Sequence, residues 1–149
     1  MSIFERLDTE LKAALKSGDK LKLSVVRMIK ASLKNKEIDK TGELTNEEII
    51  SVLSSMVKQR RESIEQYSSA GRTDLAEQEK NELEIVQSYL PRQLSPQEID
   101  SIILSAIKES KALSPGDIGM VMKLVSPQIK GVADGKMVNQ RVRELLSKQ

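Results

Sequence analysis

Only Phe4, Tyr67 and Tyr89 are aromatic in this chain of 149 residues, and Trp, His and Cys are absent. A core without rings or disulfides has to be packed from Leu, Ile, Val, Met and Ala. The same absences remove the commonest ligands of structural zinc, haem, iron–sulfur clusters and copper. They also remove every His-based or Cys-based catalytic arrangement, so no metal, no cofactor and no catalytic residue is expected. Seven Gly and four Pro accompany many Glu, Lys, Gln, Leu, Ile and Ala. That mixture favours helices and leaves few alternating β-branched segments, and it predicts an all-α protein.

Capping signals divide the chain. Ser2 and Glu5 have the S-x-x-E spacing in which each side chain satisfies amides of a first helical turn, and Gly18 closes that helix. Asp19 caps a second helix, with Leu21, Val25, Val26, Ile29 and Leu33 on one face. Thr45 and Glu48 repeat the capping box ahead of a long third helix. Its stripe runs through Ile49, Leu53, Met56, Val57, Ile64 and Tyr67 and ends near Gly71. Thr73 is expected to cap a fourth helix carrying Leu75, Leu83, Val86 and Leu90 and stopping before Pro91. These four helices make an expected N-terminal bundle over residues 1–90.

The segment L-P-R-Q-L-S-P-Q-E-I at 90–99 is the expected boundary. Ser95, Pro96 and Glu98 then supply a cap, a first-turn proline and an N3 acid. Three shorter helices are read in residues 91–149: one through Ile99, Ile103 and Ile107, one opened by Ser114 and Pro115 and ended by Pro127, and one opened by Asp134. Between the last two lies the glycine-bearing loop I-K-G-V-A-D-G at 129–135.

Net charge is only +2, yet it is unevenly distributed. Residues 1–40 carry ten basic and six acidic groups, residues 41–90 five and ten, and residues 91–149 nine and six. On helix two, Lys20, Arg27, Lys30 and Lys34 lie opposite the apolar stripe. One reading pairs them with the acidic third and fourth helices, where Glu77, Glu79, Glu82 and Glu84 crowd together; the other sets them against phosphates. A charge run on a helix is more often a solvated or paired face, so the first reading is preferred and the second keeps these residues as a possible second basic face.

A further basic surface surrounds the C-terminal loop, with Lys123, Lys130, Lys136, Arg141 and Arg143. Lys136, Gln140 and Arg143 are spaced i, i+4, i+7, opposite Val138, Val142 and Leu145, and so face solvent. Amides at the start of the last helix could hold an anion, or Asp134 could already cap them; the residues leave both open. Catalytic motifs are missing: there is no G-x-S-x-G elbow, no P-loop and no dinucleotide fingerprint. Aromatic scarcity also disfavours base stacking and leaves backbone and shape contacts as the RNA mode.

Six segments together resemble one family, the YqeY-like proteins. They are V-V-R-M-I-K-A at 25–31, K-Q-R-R-E-S-I at 58–64, A-G-R-T-D-L-A at 70–76, E-I-V-Q-S-Y-L-P at 84–91, and G-M-V-M at 119–122 followed by K-G-V-A-D-G at 130–135. The C-terminal part is similar to the tail domain of the B subunit of aspartyl/glutamyl-tRNA amidotransferase, which helps hold the outer corner of the tRNA. The resemblance implies a helical bundle followed by a small helical domain that is non-catalytic and faces tRNA or another structured RNA. A protein partner in tRNA aminoacylation or transamidation is implied as well. Glutamine-dependent carbon–nitrogen ligase activity attaches to the family by similarity alone.

The RNA-facing role falls on Lys123, Lys130, Gly131, Gly135, Lys136, Gln140 and Arg143. The family's loop commonly reads K-G-K-A-D-G, and Val132 replaces its second basic residue here. The alternative reading is a helical protein-interaction module without RNA. The start M-S-I-F-E-R-L-D-T-E-L has acids where a secretory signal would be apolar, and no apolar run approaches 18 residues. No membrane association is expected, and the default location is the cytoplasm.

Overall fold

The computed structural model describes residues 2–148, and it is all-helical. Seven α-helices follow one another: α1 (Ile3–Ser17), α2 (Lys20–Lys40), α3 (Asn46–Ser69), α4 (Thr73–Gln87), α5 (Pro96–Ser110), α6 (Ile118–Ile129) and α7 (Gly135–Leu146). A single 3₁₀ turn, Pro115–Asp117, leads into α6. No helix among the described residues is long and apolar enough to cross a membrane.

The ends of these helices are made by local chemistry. Both halves of the capping box form at Ser2 and Glu5, at Thr45 and Glu48, and at Ser95 and Glu98. Asp19 accepts from the Lys22 amide at 3.0 Å. Gly18 ends α1 at φ +72°, a left-handed conformation that a side chain would strain.

Three expectations fail. Helix α4 stops at Gln87, so Leu90 lies beyond it. Thr73 is not a cap: Arg72 holds the cap position of α4, and no side chain bonds the amides there. Pro127 does not end α6, which continues to Ile129. Proline so close to a C-terminus forfeits one amide bond while its ring stays on the exposed side. The Gln128 side chain donates to the Leu124 carbonyl at 2.9 Å, recovering one acceptor of that last turn.

Contacts gather the chain into two compact units, Met1–Leu90 and Pro91–Gln149. The first is cored by Leu7, Val25, Val26, Ile29, Leu33, Leu53, Met56, Val57, Val86 and Tyr89. Every one of these except Tyr89 is aliphatic, as the scarcity of rings requires. Arg6 ties α1 to the end of α4 by donating to the Ser88 carbonyl at 3.0 Å while its guanidinium lies 4.3 Å from the centre of the Tyr89 ring. The second unit packs Ile99, Ile103 and Ile107 of α5 against Val121 and Val125 of α6 and Val138, Val142 and Leu146 of α7.

Candidate functional site

The second unit holds the stronger candidate. Helix α7 turns Val138, Val142, Leu145 and Leu146 into the core. Lys136, Gln140 and Arg143 therefore emerge on the opposite side, and all three are exposed. Lys123 of α6 and Lys130 at the end of α6 are exposed too.

The loop after α6 is an ordered connection. Gly131 takes φ +78°, which turns the chain sharply away from the helix. Its carbonyl accepts from Gln93 Nε2 at 3.0 Å, and the Val132 carbonyl accepts from the Leu94 amide at 2.8 Å. Gly131 is buried, so its lack of a side chain serves the turn. Gly135 is exposed, and a Cβ built on it would meet nothing within 4 Å. At the start of α7, Asp134 accepts from the Lys136 amide at 3.2 Å, so one of the amides that an anion would use already has an internal acceptor.

Carboxylates decide the electrostatics of this unit. Arg92 grips Glu98 through two bonds of 2.9 and 2.8 Å. With the Ser95 cap added, this pulls the Glu98 carboxyl down to about 2. Arg141 makes the same two-pronged contact with Asp100 across α5 and α7, at 2.8 Å for each bond, and reaches Glu144 at 2.9 Å. The bonds from Arg141 hold the Asp100 carboxyl below its ordinary range. Asp117 accepts from the Leu113 and Ser114 amides. With Asp134 at its cap, Glu109 is the one carboxylate of the six in this unit for which no internal role is seen among the described residues.

Arg141 thus leaves the basic surface expected from the sequence, because its charge is spent inside the unit. Lys123, Lys130 and Arg143 make no ion pair among the described residues.

The basic stripe of α2 in the first unit behaves differently. Lys30 pairs with Asp8 of α1, and Lys34 pairs with Glu37 of its own helix with its ammonium 5.5 Å from the centre of the Phe4 ring. Only half of the stripe is engaged, since Lys20 and Arg27 are exposed and make no ion pair among the described residues. The seam with the acids of α4 does not form at these residues: the partners are supplied by α1 and α2, which pack side by side. The acid Glu82 is met by Arg60 of α3 instead, at 3.6 Å.

Sequence reasoning missed Arg60, which is 7% exposed. It donates to Met28 Sδ at 2.9 Å, and burial together with the neighbouring Glu82 pushes the Glu79 carboxyl up, against the pull of Arg60. A signal was present, since Arg60 occupies the slot between Val57 and Ile64 on the apolar stripe of α3. No group of acids able to hold a metal ion occurs among the described residues.

An all-helical chain of two units, the second carrying cations in excess of its available acids, is the class that fold and site define. The chain belongs to the YqeY-like proteins: the family model described as "Yqey-like protein" matches residues 4–146. It is also similar to fungal proteins named "Altered inheritance of mitochondria protein 41, mitochondrial". The protein of that name from Pyrenophora tritici-repentis is 30% identical over 148 residues, covering 97% of this chain and 81% of its own. Those from Vanderwaltozyma polyspora and Lachancea thermotolerans are 36% and 35% identical over 73% of this chain. The matched region is 62% and 60% of those two proteins' own length. These relatives correct the expectation of a cytoplasmic location, since each is named as mitochondrial.

Proposed function

We propose that the second unit is a non-catalytic RNA-facing module of the transfer-RNA machinery. In this reading Lys123, Lys130, Lys136 and Arg143 meet the phosphates of a tRNA or another structured RNA, and Gln140 adds a hydrogen bond between them. Gly131 and Gly135 shape the loop that separates Lys130 from Lys136. The observation that carries the reading is the engagement of carboxylates: three of the unit's six acids are bound by Arg92 and Arg141, and two more accept backbone amides. Lys123, Lys130 and Arg143 are left to a polyanion, whose binding releases condensed counterions. The likeness of this part to an amidotransferase tail domain makes tRNA the first RNA to try. A fluorescence-anisotropy titration with tRNA tests it, and Lys130→Ala with Arg143→Ala should weaken binding at low salt. Unchanged affinity in that variant would reject this surface.

A second reading rests on a different observation. A groove of about 180 Å³ between α5 and α7 is lined by Pro96, Ile99, Met137 and Val138 and edged by Asp100 and Arg141. Met137 is 56% exposed there, which suits an apolar side chain of a protein partner. Co-purification with nuclease treatment separates the two readings, because a partner bridged by RNA is lost and a direct one stays.

A further inference from the structure

Lysines along the C-terminal half of α2 find carboxylates one after another. Lys30 has Asp8, Lys34 has Glu37 and Lys40 has Glu48. Lys36 breaks the series: it makes no ion pair among the described residues and borders a groove of about 270 Å³ between α2 and α3.

The walls of this groove repeat at helical spacing. Ser32 and Lys36 stand four apart on α2, while Ser51, Ser55 and Gln59 stand at four-residue steps on α3. None of these five side chains is spent on a hydrogen bond within the described residues, and no carboxylate lines the space. Serines inside helices often bond back to a carbonyl of the preceding turn. Here the three hydroxyls remain available together with an ammonium and an amide, and all five can donate. Val52 and Met56 form the apolar remainder of the lining, and the groove opens to solvent.

Positive charge with donors on both walls and no competing acid selects an anion. The size, a little under the roughly 300–1,000 Å³ usual for small-molecule sites, selects a compact one. A carboxylate offers two oxygens in one plane. A phosphomonoester offers three, with a charge of about −1.5 to −2, and can take donors from α2 and α3 at once. We propose that the α2–α3 groove is a binding site for the phosphate of a small phosphomonoester. It lies in the first unit and stands independently of any RNA contact made by the second.

Titration of the full chain followed by amide-resolved NMR tests this, with glycerol 3-phosphate and inorganic phosphate as probes and acetate and chloride at matched ionic strength as controls. The amides of residues 32, 36, 51, 55 and 59 should move saturably with the two phosphates and not with the controls. Lys36→Ala should weaken the binding about tenfold, and Lys12→Ala on α1 should leave it alone. Shifts that chloride reproduces, shifts confined to residues 91–149, or equal affinity in Lys36→Ala would overturn the proposal. So would tighter binding of a phosphodiester oligonucleotide than of the monoester at those amides, because the groove would then serve a nucleic acid.

Discussion

The two helical units contain cations of the same kind and use them differently. In the first, Arg60 is sunk between α3 and α4 beside Glu82, and Lys30, Lys34 and Lys40 each meet a carboxylate, while Lys20, Arg27 and Lys36 make no ion pair among the described residues. In the second, two arginines take up three of the acids, and Lys123, Lys130 and Arg143 remain at the surface without a carboxylate partner among the described residues. Net charge points the same way, since residues 1–90 carry 15 basic and 16 acidic groups and residues 91–149 carry nine and six. Pairing narrows the cations that a polyanion can use within each unit, and the excess of bases over acids favours the second.

Removing the buried cation gives the sharpest contrast. Arg60→Ala strands Glu82 in a site where both partners are close to buried, and it should destabilise the first unit by about 3 kcal/mol or more in chemical denaturation. Arg60→Met with Glu82→Leu should recover most of that loss, because the pair is then replaced by packing. A single Arg60→Ala variant of unchanged stability would remove the distinction drawn for this unit.

Replacing Lys123, Lys130 and Arg143 together by Ala should do the reverse. Stability should stay within about 0.5 kcal/mol of the parent, as for other exposed positions, while tRNA affinity at low salt falls at least about tenfold. Arg141→Ala sharpens the comparison within a single helix. Its pair with Asp100 is about one-third exposed on each side, so solvent screening keeps the loss of stability well below that of Arg60→Ala. Its RNA affinity should hold within about twofold, since its charge is already engaged. An Arg141→Ala variant that lost RNA binding as fully as the triple variant would erase the difference between the two arginines.

Acid titration gives the smallest effect, and its sign differs among the carboxylates. Asp8 and Glu48 of the first unit are lowered by Lys30 and Lys40, as the acids of the second unit are by their arginines. Among the described carboxylates with a resolved shift, only Glu79 is raised. Glu98 and Asp100 have carboxyls lowered by their arginines in the folded state. They add stability that is complete above the ordinary carboxylate range and is lost as pH falls, toward about 2 for Glu98. Glu79 is raised by burial and by Glu82, so it opposes folding increasingly as pH climbs through and above its ordinary value. Glu79→Gln should therefore cause no loss of stability at neutral pH and should flatten the first unit's pH dependence just above the ordinary carboxylate range. Thermal unfolding monitored between pH 3 and 7 checks both directions, and a Glu79→Gln variant less stable than its parent at pH 7 would contradict the second.

Much of the architecture was legible because it is local. The boxes at Ser2, Thr45 and Ser95, the Asp19 cap and the glycine at the end of α1 involve residues three or four apart, and each appears as read. Thr73 and Pro127 misled because type and spacing are only a prior: a good capping residue was displaced by one position, and the exposed side of a last turn tolerates proline. The site was less legible. Arg141 meets Asp100 across 41 residues, and Lys30 meets Asp8 across 22, and no spacing rule reaches that far. The solvent-facing set Lys136, Gln140 and Arg143 was visible from period alone because α7 has an unbroken apolar face.

The most direct measurement is the salt dependence of tRNA affinity for the full chain. With three or four phosphates met by the second unit, the logarithm of the association constant should fall against the logarithm of salt concentration with a slope of roughly −2 to −4. Each Ala replacement among Lys123, Lys130 and Arg143 should reduce the steepness by about one. A flat dependence, or the same slope after all three cations are removed, would contradict the account.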